Sequence, residues 1–242
     1  MIGTRRRGGR LLSLVAMLAI FGVALHGPLA VAAQDTGVDD SFDFKSLDGF
    51  QRGVGRLYMG DLSTMFGSLD SLSTPGAEVE TPDMSELGLF MLGGFVAQFD
   101  NGDHASSALG TVTDSLVKSV ESGDDGITLS EVDVDKLGDQ TKAYSGTISE
   151  EGMEGTVVYI AVQKGDLVYI GFGLSFGSDP TDQITAFVTD LTKGKPSDGD
   201  GTFNEDGTST GGLWDVFPSS DADYLKGLTP MTDQDLAQDD SM

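Results

Sequence analysis

The stretch from Thr156 to Phe176 constrains the fold more than any other part of the chain. Thr156-Val157-Val158-Tyr159-Ile160-Ala161-Val162 is an unbroken run of β-branched and aromatic residues with one alanine. Such residues favour a pleated backbone with packed faces. Lys164-Gly165-Asp166 supplies turn residues, and Leu167 to Phe176 returns as a second apolar run. Two such runs joined by a short polar turn predict an antiparallel hairpin over 156–176. Gly171 and Gly173 alternate around Phe172, which leaves one face of the return strand nearly bare and open to the close approach of a helix or another backbone.

A hairpin alone is not stable in water, so further strands are needed. Met91 to Phe99, MLGGFVAQF, reads as an extended apolar run in a sheet interior. Phe50 to Met59 reads as a strand of imperfect alternation, and Ile127 to Val134 and Lys142 to Ile148 as two more. Ser149-Glu150-Glu151-Gly152 turns the chain from Ile148 into the run over 155–163. Four strand candidates between 127 and 176 are thus joined only by short turns, which excludes a doubly wound parallel sheet with its helical crossovers.

Helical periodicity recurs between these strands. Ala105, Ala108, Leu109, Val112, Leu116 and Val120 form one stripe, with Asp103 as the expected N-cap. Ile184, Phe187, Val188 and Leu191 form another, with Asp179 as cap, Pro180 at the first helical position and Lys193 and Lys195 at the end. Leu62, Met65, Phe66, Leu69 and Leu72 predict a helix over 61–72, interrupted by Gly67, and Thr81 to Leu89 predicts a short one. The expected fold class is α+β, an antiparallel sheet with the helices that follow Phe99 and Phe176 packed on one face.

The N-terminus reads differently. Arg5, Arg6, Arg7 and Arg10 precede the apolar run Leu11 to Leu25, and small residues end in Ala30-Val31-Ala32-Ala33. That is the layout of a cleavable secretory signal over residues 1–33. Its apolar run is shorter than the roughly 20 residues of a spanning helix, so cleavage after Ala32 or Ala33 is expected, with a retained membrane anchor as the alternative. Thr4-Arg5-Arg6-Arg7-Gly8-Gly9 resembles a twin-arginine signal but lacks the apolar residue after the pair, and a general secretory route fits equally well. No cysteine follows, so the N-terminus is not lipidated and no disulfide staples the exported domain.

Four of the 14 basic residues and none of the 39 acidic ones lie in residues 1–33, leaving 10 against 39 and a formal charge of −29. A surface of that sign repels phosphate backbones, which excludes nucleic acid as a partner, and it sustains solubility. A neutral or cationic component of the cell envelope is the partner such a chain suits. Contact with a membrane is expected only where the signal is retained.

Residues 34–46 read as a flexible leader with a short strand near Phe42 to Phe44, and residues 47–195 as the α+β domain. Residues 196–212, nearly all Ser, Asp, Gly, Thr, Asn and Glu, read as a loop or linker. In the final segment, 213–242, Leu213, Trp214, Val216, Phe217, Leu225, Leu228 and Met231 restore an apolar signal, so the tail is expected to fold back with Trp214 as an anchor. Within the linker Asp198, Asp200, Thr202, Asn204 and Asp206 recur at every second position, as the early oxygen ligands of an EF-hand loop do. Position six, however, is Phe203 in place of the turn-making glycine, and position twelve is Ser209 in place of a bidentate glutamate. An acidic linker is the better reading, with calcium affinity of about millimolar or weaker if the loop binds the ion.

Other chemistry is sparse. His104 is the sole histidine after cleavage, so no histidine cluster can hold zinc, and without cysteine there is no thiol nucleophile or thiolate metal site. No Gly-x-Ser-x-Gly elbow and no phosphate-cradling loop occurs, and Gly53-Val54-Gly55 and Gly171-Phe172-Gly173 are too short for a dinucleotide fingerprint. No catalytic residue and no cofactor is therefore assigned. A hydrolase using a carboxylate pair is the alternative, but 39 acidic residues offer too many pairs for spacing to select one. The discriminating feature is a deep pocket lined by Arg52, Arg56, Asp100 and His104, which an enzyme requires and a binding or structural module does not.

From Gly93 to Leu191 the order of marks is Phe99-Asp100 at a strand end, Ala105 early in the next helix, Leu137-Gly138-Asp139 before a tyrosine-bearing strand, and Lys164-Gly165-Asp166 between long apolar strands. Over these 100 or so residues the chain resembles exported bacterial proteins with extracellular sensor-like or lipoprotein α+β domains, found in actinobacteria and their neighbours. The resemblance implies a cell-envelope binding or structural module and no catalytic residue. The chain departs from the lipoprotein members in lacking the lipidated cysteine and from the sensor members in lacking disulfides.

Overall fold

A computed structural model describes residues 44–60, 88–122, 128–150, 153–203 and 209–231. The expected helix over 61–72, most of that over 81–89 and the signal over 1–33 lie outside the described residues. A 3-10 turn over Phe44–Ser46 leads into β1 (Phe50–Gly60) and then β2 (Gly88–Phe99), and of the short strand expected near Phe42 to Phe44 only Phe44 is among the described residues. Gly88 and Leu89, expected at the end of a helix, begin β2. The long helix α1 (Gly102–Ser122) follows, then β3 (Ser130–Glu131), β4 (Gln140–Glu150), β5 (Met153–Lys164), β6 (Leu167–Phe176) and α2 (Thr181–Lys193). Short strands β7 (Thr202–Phe203), β8 (Ser209–Thr210) and β9 (Leu228–Pro230) and two 3-10 turns, Gly212–Val216 and Asp223–Leu225, follow among the described residues.

Seven strands form one sheet in the order β3-β4-β5-β6-β2-β1-β9. All of its pairings are antiparallel. The hairpin pairs Gly155 with Phe176 through to Lys164 with Leu167, so the fold class read from the sequence stands.

The layering does not. Ala105, Ala108, Leu109 and Val112 of α1 pack with Val157, Tyr159, Ala161, Val168, Ile170 and Phe172. Ile184, Phe187, Val188 and Leu191 of α2 pack with Val158, Ile160, Val162, Leu167 and Tyr169. Alternate residues of β5 and β6 thus face different helices, and the sheet is sandwiched between α1 and α2 instead of carrying both on one face. Every residue of β6 is buried, which only a strand covered on both sides can achieve.

The bare strip in β6 receives α2. A Cβ at Gly173 would stand 2.8 Å from Ile184 Cδ1, one at Gly94 would stand 2.7 Å from the Phe187 ring, and one at Gly171 would collide with Val188. Close approach of helix and sheet therefore depends on these three glycines.

The strand expected over 127–134 shrinks to Ser130–Glu131. Leu129 is buried on the α1 side, whereas Val132, Val134 and Leu137 pack on the α2 side. Leu129 on one face and Val132 and Val134 on the other follow the alternation of a strand, and the Val132 N–H still donates to the Ala143 carbonyl at 3.0 Å beyond the two paired residues.

The caps also shift. Asn101, not Asp103, caps α1, because its Oδ1 accepts from the His104 backbone N–H at 2.9 Å. Asp103 lies inside the first turn, where its charge still suits the helix dipole. Asp179 Oδ1 accepts from the Thr181 N–H at 2.9 Å. Pro180, immediately before the first helical residue, offers its carbonyl to Ile184.

Candidate functional site

Two polar constellations flank the sheet, one at each face. On the α1 side, Gly49 turns the chain with φ +73° and its carbonyl accepts from the Asp100 N–H at 2.9 Å. This places Asp100 against the first turn of α1, where its Oδ1 lies 2.6 Å from His104 Nδ1 and accepts from Asn101 Nδ2 at 3.0 Å. A side chain at Gly49 would collide with both Asp100 and His104, so the junction requires glycine.

The carboxylate holds a proton on Nδ1 and leaves Nε2 outside that bond. The hydrogen bond to Asp100 raises the His104 pKa, a desolvation contribution opposes it, and the charges of Asp100, Asp48 and Asp103 add to the rise. His104 borders a shallow depression of ≈ 180 Å³ shared with Ser46, Asp48, Ser107 and Thr111. Sites for small organic ligands run to about 300–1,000 Å³ and enclose most of their occupant. The Thr111 hydroxyl is turned inward to the Ser107 carbonyl at 3.2 Å. A carboxylate-oriented histidine is the arrangement of a general base, but such a base acts only on a nucleophile held within reach.

On the α2 side, β1 carries Arg52 and Arg56. Arg52 Nε donates to Gln98 Oε1 at 2.8 Å, Gln98 Nε2 donates to Asp166 at 3.0 Å, and Arg52 Nη1 donates to the Gly199 carbonyl. The Arg56 guanidinium lies 5.9 Å from the Trp214 ring centre and 5.8 Å from that of Phe217, within cation–π range of both. Leu213, Val216 and Leu225 are buried in the α2 core, and β9 pairs with Tyr58, Met59 and Gly60 of β1. Beside them the Tyr224 hydroxyl donates to Asp190 at 2.8 Å and its pKa is raised, by burial first and by that bond second.

The two arginines thus fasten Gly199 and the Trp214 to Phe217 stretch to the sheet, on the face opposite Asp100 and His104. The four residues named as the lining of one enzyme pocket do not converge. Position along the sequence concealed this, since β1 and the start of α1 adjoin while their side chains leave the sheet on different sides.

The alternating oxygen residues are placed only in part. Asp198 and Asp200 are exposed, Thr202 pairs with Thr210 in a short ladder, and Asn204 and Asp206 lie outside the described residues. Around them the Ser197 N–H donates to the Gly212 carbonyl, and Asp215 accepts from the Gly211 N–H at 2.7 Å. Among the described residues no group of three or more His, Asp or Glu side chains is arranged to hold a metal ion. No helix among them is long and apolar enough to cross a membrane.

No protein-family model and no curated protein matches the sequence. Among solved structures, the crystal structure of the extracellular domain of PknH from Mycobacterium tuberculosis is similar over 60% of this chain and 84% of that one, at 12% identity and a TM-score of 0.31. A likeness of that depth carries nothing about function.

Proposed function

We propose that the chain is a noncatalytic extracytoplasmic module whose folded surface binds a neutral or cationic component of the cell envelope. The observation that carries this reading is the charge: 39 acidic residues against 10 basic ones after residues 1–33, with Arg52 and Arg56 both engaged inside the fold. The field outside the molecule is then set by carboxylates, which attract cations and repel phosphates. The secretory layout of residues 1–33 supports the location, and the resemblance to exported sensor-like and lipoprotein domains agrees with it. Weak calcium binding by the Asp198 to Asp206 stretch belongs to the same proposal.

One observation favours a second reading, hydrolysis at the Asp100–His104 pair, because the 2.6 Å contact orients the imidazole as a base would need. A screen of the purified exported chain against ester, amide, glycoside and phosphate substrates separates the two. The module reading expects no turnover that responds to His104→Ala or Asp100→Asn. Turnover abolished by either change overturns it.

A further inference from the structure

The sequence contains two asparagines, Asn101 and Asn204, and of these only Asn101 precedes a glycine. In an Asn-Gly pair the glycine nitrogen can attack the asparagine side-chain carbonyl and close a cyclic imide, because no Cβ on the glycine obstructs the approach. Gly102 is glycine for a packing reason as well, since a Cβ there would stand 3.2 Å from the Gly165 carbonyl of the hairpin turn.

The fold arranges around Asn101 the groups that this reaction needs. Asn101 is exposed and caps α1, so Gly102 is the first helical residue and its N–H is one of those that a helix leaves without an intrahelical acceptor. The Asn101 Oδ1 accepts from the His104 N–H at 2.9 Å, so negative charge growing on that oxygen meets a donor already in place. The Asn101 Nδ2, which has to leave, lies 3.1 Å from His104 Nδ1. Asp100 Oδ1, 2.6 Å away, holds the proton on that ring nitrogen. Its hydrogen bond, then the charges of Asp100, Asp48 and Asp103, favour the doubly protonated ring against a desolvation cost.

We propose that Asn101 is a self-modification site whose conversion to aspartate and isoaspartate is promoted by the folded chain itself. The Gly102 nitrogen bonds to Asn101 Cγ and gives its proton to water. The Cγ–Nδ2 bond breaks as Nδ2 takes the proton from His104 Nδ1 and departs as ammonia, and the imidazole recovers a proton from solvent. Water then opens the imide, at Cγ to give aspartate or at the backbone carbonyl to give isoaspartate. Either product replaces a hydrogen-bond donor to Asp100, now at 3.0 Å, with a carboxylate. Isoaspartate also adds a carbon to the backbone at the cap of α1, so the turn that seats Asp100 on His104 loosens as the protein ages.

The exported chain is incubated at neutral pH, folded or unfolded in guanidinium chloride, and the peptide carrying Asn101 is followed by mass spectrometry beside an assay for released ammonia. Aspartates that precede glycine can isomerise, but they neither change mass nor release ammonia, so the signal belongs to asparagine. Conversion is expected to run faster in the folded chain than in the unfolded one. His104→Gln keeps the backbone N–H at the cap and removes the ring proton, and it should slow the folded reaction by about tenfold or more. If that variant does not fold, the folded and unfolded forms of the unaltered chain decide the matter by themselves. Slower conversion folded than unfolded, or a folded His104→Gln chain that converts as fast as its parent, overturns the proposal.

Discussion

The Tyr159 hydroxyl is buried between β5 and α1 with no hydrogen-bond partner among the described residues, and burial raises its pKa well beyond the ordinary phenol value. An unpaired buried hydroxyl costs about 1–3 kcal/mol, and an apolar isostere escapes that cost. Tyr159→Phe should therefore be neutral or stabilising in urea unfolding, and a loss above about 1 kcal/mol would reveal a partner. His104 makes the opposite kind of contact, exposed and paired. Its folded pKa lies above the unfolded value, so the pair's contribution is complete below about pH 6.5 and fades as pH rises through the folded pKa. The histidine ring signals should titrate above the ordinary value, and Asp100→Asn should bring them down toward it. No shift in the variant would contradict the pairing. The sequence singled out His104 by its solitude but set it beside Asp103, because the turn that brings Asp100 back onto the ring depends on Gly49, about 50 residues away in the chain.

At the scale of elements, the hairpin over 156–176 and both stripes of helical residues were legible because each is a local pattern of period two or 3.6. Which face each helix covers was not local, yet a signal for it existed. Val157, Tyr159 and Ala161 are as apolar as Val158, Ile160 and Val162, and a strand without a polar face is covered on both sides. The expected strand over 127–134 is paired only at Ser130 and Glu131, although Leu129 and Val132 alternate between the faces as strand residues do. Leu109 is fully buried while Leu116 is only partly so. Leu109→Ala should accordingly cost about 2–5 kcal/mol and Leu116→Ala less, as read by denaturant midpoint. Gly173→Ala should also destabilise, since the new methyl would meet Ile184 Cδ1 and the Met91 carbonyl, each at 2.8 Å. An unchanged midpoint would mean that α2 stands further from the sheet.

For the whole molecule, the tail and the surface charge are linked through the same two arginines. Arg56→Ala should loosen the Trp214–Phe217 contact, costing about 0.5–2 kcal/mol and increasing acrylamide quenching of the single tryptophan. Quenching unchanged by that substitution would contradict the clasp. Composition announced the acidic surface, but only the fold shows Arg52 and Arg56 committed to internal contacts, which is why spacing alone could not separate a pocket from a clasp. The central claim is that this carboxylate-dominated surface recruits a cationic partner outside the cytoplasm. It is tested most directly by retaining envelope extract on the immobilised exported chain at 0.1 M and at 1 M salt, between which the Debye length falls from about 10 Å to about 3 Å. The account predicts a component held at the lower salt and released at the higher. Nothing retained at either salt would contradict it, and retention indifferent to salt would contradict a cationic partner and leave a neutral one.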